Sequence, residues 1–187
     1  MPGRPLPSVF RELETLVAIP DYQKDHSCRE TEDITENFTG DIIGHMPRAT
    51  EEDALAAVER ARKAQKAWAQ VPVKERAKIF RRYHQLILGK REESADIIQC
   101  ETGKARAAAL EEIMDVSINA RYYSNHGPAM LKPKRVPGML PVVTKTVVYR
   151  KPKGVVGVVA PWNYPFNLAI SDAIPVSYTH LQAHETL

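Results

Sequence analysis

Asn163 is the side chain in this sequence whose surroundings best suit chemistry. It stands in Pro161-Trp162-Asn163-Tyr164-Pro165, directly after the valine-rich run Gly154 to Ala160, and Pro165 is placed to start a helix. In open α/β sheets, ligands bind beyond the carboxyl ends of such strands. Two readings of the turn follow from the residues alone. In one, Asn163 caps the helix and Trp162 packs in the core; in the other, both face a ligand beyond the strand. Spacing alone favours the first. The stretch is not a Gly-x-Gly-x-x-Gly phosphate loop, because Gly154 and Gly157 lie within the run and not in the turn after it.

Other reactive groups are less well placed. Cys28 lies in a charged polar stretch, and Cys100 lies in a helical pattern before Glu101-Thr102-Gly103-Lys104. Neither has the basic neighbours or helix N-terminus that make a thiol a ready nucleophile. With no Cys-x-x-Cys pair, the two cysteines do not form a secreted disulfide framework, and a reducing compartment is expected. His180 and His184 have the i, i+4 spacing of a helical ligand pair but no third ligand nearby, so no metal site is expected. Seven basic residues and no acidic one lie from Lys132 to Lys153. Only Tyr149 offers a stacking ring there, so a charged sheet edge is expected in preference to a nucleic-acid surface.

The elements that must position Asn163 are legible from composition and periodicity. The chain has 187 residues, 43% apolar and 26% charged, with a formal net charge of +3. That excludes a disordered or collagen-like chain and gives no argument for nucleic acid or an anionic membrane. No apolar run approaches the ~20 residues of a membrane span, and the N-terminal stretch is broken by charges. A cytoplasmic protein with no membrane partner is expected, in which the sequon Asn37-Phe38-Thr39 is idle.

Val9, Phe10, Leu13, Leu16 and Val17 predict a leading helix, and Asp21 to Asp33 a surface linker. Ile34 to Phe38 and Ile42 to Met46 read as a hairpin turning at Gly40 and stopped by Pro47. Thr50 reads as an N-cap, with acids in the first turn and a stripe of Leu55, Val58, Ala61 and Trp68. A second helix runs from about Pro72 through Ile79, Phe80, Tyr83 and Ile87 to Gly89, and a third from Glu92 to about Thr102. The fourth runs from Lys104 through Leu110, Ile113, Met114 and Tyr122 to a stop at Gly127-Pro128. A loop punctuated by Pro133, Pro137, Gly138 and Pro141 follows, and then strands from Val142 to Tyr149 and from Val155 to Ala160. The second is apolar on both faces, as a strand covered by helices must be.

The stretch from Gly154 to Pro165 resembles the aldehyde dehydrogenase superfamily, whose hallmark is a valine-rich strand followed by Pro-Trp-Asn-aromatic-Pro. The Ala61 to Ala69 helix, Pro72 with Glu75-Arg76, Glu101-Thr102-Gly103-Lys104 and Ala120-Arg121-Tyr122-Tyr123 are similar to the family in order and spacing. The resemblance covers about residues 34–175. Glu111 to Asp115, Leu131-Lys132-Pro133 and Ser171 to Pro175 further resemble the actinobacterial type of NADP-dependent succinate-semialdehyde dehydrogenase.

The resemblance implies an α/β fold, mainly helical here: the amino-terminal part of the aldehyde dehydrogenase fold, with an incomplete Rossmann-like NAD(P)-binding domain. It places a leading helix and linker at 1–33, the partial cofactor domain at 34–175, and an oligomerisation hairpin at about 131–153. It implies that Asn163 donates its amide to the oxyanion formed when a cysteine thiolate attacks an aldehyde. The residues matching Val159, Ala160, Pro161, Trp162 and Asn163 would line the cleft for NADP or NAD, with NADP favoured. Partners would be an aldehyde, with succinate semialdehyde favoured, and further copies of the same chain.

After Pro175 the sequence departs from the family pattern, and 176–187 reads as a non-native tail to be left out of fold reasoning. The family's cysteine nucleophile and glutamate base would lie downstream, so residues 1–187 alone are expected to be inactive. The competing reading is a catalytically dead fragment that pairs with full-length subunits through the Val142 to Tyr149 strand.

Overall fold

The computed structural model describes residues 30–140, 143–151 and 154–178, with the backbone of 182–184. The leading helix expected near residues 8–19, Cys28 and His180 lie outside the described residues.

Five helices occur among the described residues, and the ends of the first four are set by local chemistry. In α1 (Glu51–Gln70), the Thr50 hydroxyl accepts from the Asp53 amide at 3.3 Å while the Asp53 carboxylate accepts from the Thr50 amide at 2.8 Å. This reciprocal capping box satisfies two donors that the first turn leaves free. Pro72 precedes α2 (Val73–Gly89), and Gly103, at φ 70°, ends α3 (Arg91–Thr102) in the left-handed region. α4 (Arg106–Met130) follows, its N-terminus tied to α3 by Arg106, which pairs with Asp96 and Glu92.

α2 packs along α4, and α5 (Pro165–Tyr178) lies on α4 as well. One core cluster joins Ile87, Ala95, Ile98, Ala109, Ile113 and Val116; a second joins Ala77, Phe80, Ala120, Ile174 and Tyr178. The alanines let the helix axes approach closely. The expected stripes were too broad: Leu55, Val58, Ile79, Met114 and Tyr122 are exposed. On α1 only Ala61 is fully buried, because this helix meets the strands at Val155–Gly157 and Gln182–His184 rather than the body of α4.

The C-terminal end of α1 is held by Arg76 of α2, which is fully buried. Its guanidinium donates to the carbonyls of Trp68, at 3.1 Å, Val71, at 2.7 Å, and Tyr178, at 3.0 Å. Trp68 Nε1 donates to the Ser177 carbonyl at 2.8 Å. The cation thus meets C-terminal carbonyls of two helices, Trp68 and Val71 at the end of α1 and Tyr178 at the end of α5, and complements both dipoles. Residues 176–178, set aside in the sequence reading as the start of a non-native tail, form the last residues of α5.

The strands are short and fall into three two-stranded sheets among the described residues. β1 (Thr31–Thr35) pairs antiparallel with β2 (Ile42–Pro47), so the first strand lies three residues earlier than expected and takes in the end of the predicted linker. Asn37 explains the shift. Its backbone amide donates to the Cys100 carbonyl at 3.0 Å and its side chain to the Thr102 carbonyl at 3.0 Å, which pulls the chain out of the sheet. Gly40, at φ 75°, makes the turn as predicted.

β3 (Lys134–Val136) pairs with β4 (Thr146–Val148). The stretch expected to be a loop therefore contains a strand, and the strand expected at Val142 to Tyr149 is only three residues long. β5 (Val155–Gly157) pairs in parallel with β6 (Gln182–His184). It ends before the expected Ala160, and Val159, in a run whose composition suits a helix-covered sheet, is 91% exposed. Among the described residues no helix covers that side.

α4 also passes its expected stop, running through Gly127 and Pro128 to Met130. Proline in the last turn forfeits one hydrogen bond only, and Gly127 is there for packing, as Tyr178 shows below.

Candidate functional site

Between β5 and α5 the chain makes the Pro161 to Tyr164 turn. All four residues are exposed, Trp162 at 63%, so Trp162 is not the core residue that the first reading of the turn required. Nor does Asn163 cap α5. The Tyr164 carbonyl accepts the first helical bond, from Leu168 N at 3.0 Å, which puts Asn163 one residue outside the cap.

The cap comes from another helix. Glu112, on α4 and 1% exposed, accepts at Oε2 from the backbone amides of Phe166, at 2.7 Å, and Asn167, at 3.0 Å. Its Oε1 accepts from Lys104 Nζ at 2.7 Å, and the same ammonium lies 4.0 Å from the centroid of the Tyr164 ring. A carboxylate thus meets the positive end of a helix dipole, and a cation meets both that carboxylate and an aromatic face. The turn is pinned on its C-terminal side while the Asn163 side chain makes no hydrogen bond to the described residues.

Beside the turn, α4 and α5 share a polar row. Asn167 donates to Asp115 Oδ2 at 2.7 Å, the Ser171 hydroxyl donates to Asn167 Oδ1 at 2.5 Å, and Asn119 donates to Ser171 Oγ at 3.1 Å. On the other side, Trp162 borders a groove of about 480 Å³ shared with Asp33, Met46 and Glu101, and burial pushes the Glu101 carboxyl above its ordinary value.

Of the residues expected in a cofactor cleft, Val159, Pro161, Trp162 and Asn163 are exposed and Ala160 is half-buried, as one continuous strip of chain beyond β5. Cys100 is half-buried in α3, and its carbonyl serves the Asn37 turn. No cluster of three or more His, Cys, Asp or Glu able to hold a metal occurs among the described residues. None of their helices is long and apolar enough to cross a membrane.

Sequence reasoning missed the anchoring role of Glu112. A signal was present: Glu112 falls three residues after Ala109 and four before Val116, on the buried stripe of α4. A carboxylate at such a position requires partners.

A parallel strand that ends in an exposed turn at the start of a helix, with a side-chain amide uncommitted to the described residues beside a largely buried ion pair, defines a class of α/β ligand site. The comparisons with known proteins give the class its family. The aldehyde dehydrogenase family model matches residues 22–179, and the chain belongs to that family. It is 50% identical over 173 residues to a Mycolicibacterium smegmatis protein provisionally named an NADP-dependent succinate-semialdehyde dehydrogenase, covering 91% of this chain and 33% of that one. A crystal structure of an NAD-dependent benzaldehyde dehydrogenase from Corynebacterium glutamicum matches with a TM-score of 0.74 and 30% identity, over 82% of this chain and 33% of that one. An NADP-dependent glyceraldehyde-3-phosphate dehydrogenase from Bacillus halodurans, solved with NADP, gives a TM-score of 0.75 at 25% identity, over 82% and 33%.

The chain therefore spans about a third of the length of the relatives it matches. The described residues have the amino-terminal part of the aldehyde dehydrogenase fold, mainly helical, as the sequence resemblance implied.

Proposed function

We propose that this chain contributes the oxyanion donor and one wall of the cofactor cleft to an NAD(P)-dependent aldehyde dehydrogenase that oxidises succinate semialdehyde to succinate. The observation that carries the reading is the exposed Asn163 amide, uncommitted to any described residue, on a turn whose far side is anchored in the core.

In this reading a cysteine thiolate adds to the aldehyde carbonyl, and negative charge develops on the carbonyl oxygen. Asn163 Nδ2 donates a hydrogen bond to that oxygen. Such a donor, in place before the reaction, typically contributes about 2.7–4 kcal/mol of transition-state stabilisation. The nicotinamide cofactor, when bound, supplies the hydride acceptor. A water then releases the carboxylic acid. In this reading neither Cys28 nor Cys100 is the nucleophile, and no described residue is assigned as the base that activates this water.

The residues present fit a dinucleotide in one respect and limit it in another. Val159 and Trp162 offer exposed apolar surface, and the Val159 to Asn163 backbone is open along its length. The amides at the start of α5 already bond Glu112, so the cofactor's phosphates have no site there. NADP is favoured over NAD.

The β3–β4 hairpin supports self-association. It leaves a strand edge beside exposed Val148 and Tyr149, and the loop between its strands exposes Met139 at 93% and Val143 at 80%. A second copy of the chain is the proposed partner for that edge.

The experiment is to read the source DNA across the Val176 codon, express the continued frame and assay aldehyde-dependent reduction of NADP and NAD. Turnover is expected, highest with succinate semialdehyde and with NADP, whereas residues 1–187 alone give none. A full-length product that reduces neither cofactor with any aldehyde contradicts the proposal. So does turnover by residues 1–187 that survives Cys28→Ser and Cys100→Ser.

A further inference from the structure

We infer that Glu112 and Lys104 are positioning residues for the Asn163 turn, which extends the oxyanion reading above and rests on it. Residues Pro161 to Tyr164 are exposed, and their C-terminal anchor is the start of α5. Two amides of that start, Phe166 and Asn167, end on a single oxygen, Glu112 Oε2. Tyr164, the neighbour of Asn163, carries the Lys104 ammonium on its ring, and Lys104 in turn bonds the other Glu112 oxygen.

The Glu112 side chain has 0% exposure and that of Lys104 18%, so the pair lies in a poorly hydrated site where charge interactions are strong and geometry is tightly held. Three contacts, at Tyr164, Phe166 and Asn167, therefore converge on one carboxylate–ammonium pair from α4 and its approach. An N-cap supplied by an ordinary Asn or Ser would fix α5 alone. This arrangement also ties the turn to α4, whose Asp115 and Asn119 line the adjoining polar row. A displacement of about 1 Å in a catalytic group can cost about a hundredfold in rate, so loosening the anchor should act on turnover through Asn163.

The test is a double-mutant cycle in the full-length dehydrogenase carrying this sequence. Glu112→Ala is expected to lower kcat at least about tenfold with the aldehyde KM changed less than about threefold, as for lost transition-state stabilisation. Added to Asn163→Ala, it should lower kcat by less than about threefold more, because both changes remove the same donor. Glu112→Gln, which keeps an acceptor oxygen, should restore most of the loss.

Arg106→Gln is the stability control, since Arg106 joins α3 to α4 through Asp96 and Glu92 and does not touch the turn. It should retain kcat. If Glu112→Ala does not fold, Glu112→Leu with Lys104→Met removes the acceptor and both charges together and should show the same lack of additivity with Asn163→Ala. Unchanged kcat in Glu112→Ala, effects that multiply with Asn163→Ala, or an equal loss in Arg106→Gln would overturn the inference. If Asn163→Ala itself keeps full turnover, the oxyanion reading falls and takes this inference with it. If Asn163→Ala is impaired and Glu112→Ala is not, this inference alone falls.

Discussion

The ring of Tyr178 lies across Gly127 so closely that a Cβ at position 127 would stand 2.7 Å from its Cδ1 and 2.8 Å from its Cζ. This contact joins the last turn of α5 to the last turns of α4. It explains why a glycine stands inside a helix that continues through Pro128. In an exposed helix, Gly→Ala would be worth about 1 kcal/mol of added stability. Here Gly127→Ala is expected to cost about 1–3 kcal/mol by overpacking. Urea unfolding of the chain checks this; a raised midpoint would mean that the ring can move aside.

Tyr178 is 2% exposed, and its hydroxyl has no hydrogen-bond partner among the described residues. Burial pushes its pKa up to about 12, against the lowering by the Arg81 and Arg76 charges. The folded state therefore holds this proton more tightly than the unfolded chain, whose tyrosines titrate near 10. Stability from this group is complete below about pH 10 and falls as pH rises through about 12. Tyr178→Phe should make the alkaline stability profile flatter and raise stability at neutral pH by about 1 kcal/mol, since the buried hydroxyl is unpaired. An unaltered alkaline transition in the variant would contradict this.

The Glu112–Lys104 pair makes a separate prediction for stability. Glu112→Ala in the chain leaves a largely buried ammonium and two helix amides without their partner, and about 3–5 kcal/mol of stability should be lost. Glu112→Leu with Lys104→Met removes both ions. It should recover all but about 1 kcal/mol, the remainder being the lost cap of α5. Equal losses in the two proteins would place the whole effect in the cap. Equilibrium denaturation with amide exchange at Phe166 and Asn167 separates these outcomes.

Val159, Trp162, Met139 and Val143 give residues 1–187 much exposed apolar surface. The isolated chain is expected to bind an apolar fluorescent dye and to self-associate, with Val159→Ser reducing the dye signal. A well-packed monomer by sedimentation with no dye binding would contradict this.

What the sequence made legible was mostly local. Thr50 and Asp53, Pro72 and Gly103 each act within a turn of their own helix, and each marks a boundary close to where the structure has it. Gly40 likewise makes its turn as its backbone freedom requires. The errors come from partners distant in the chain. Asn37 leaves its strand because of carbonyls more than sixty residues away, at Cys100 and Thr102. Gly127 belongs to Tyr178, and the cap of α5 comes from Glu112. The valine-rich strand has the composition of one covered by helices, and among the described residues it pairs with β6 and meets α1 while Val159 stays exposed. At the candidate site the motif located Asn163 correctly beside a helix start, but the anchor could be inferred only from a carboxylate on an apolar stripe.

The proposed role of Asn163 is tested most directly by the kcat of Asn163→Ala in the full-length dehydrogenase. A fall of about 10²–10³-fold, with the aldehyde KM little changed, is the result predicted for a lost oxyanion donor. A kcat within a few-fold of the parent enzyme would contradict it and leave Asn163 as an exposed residue of the turn.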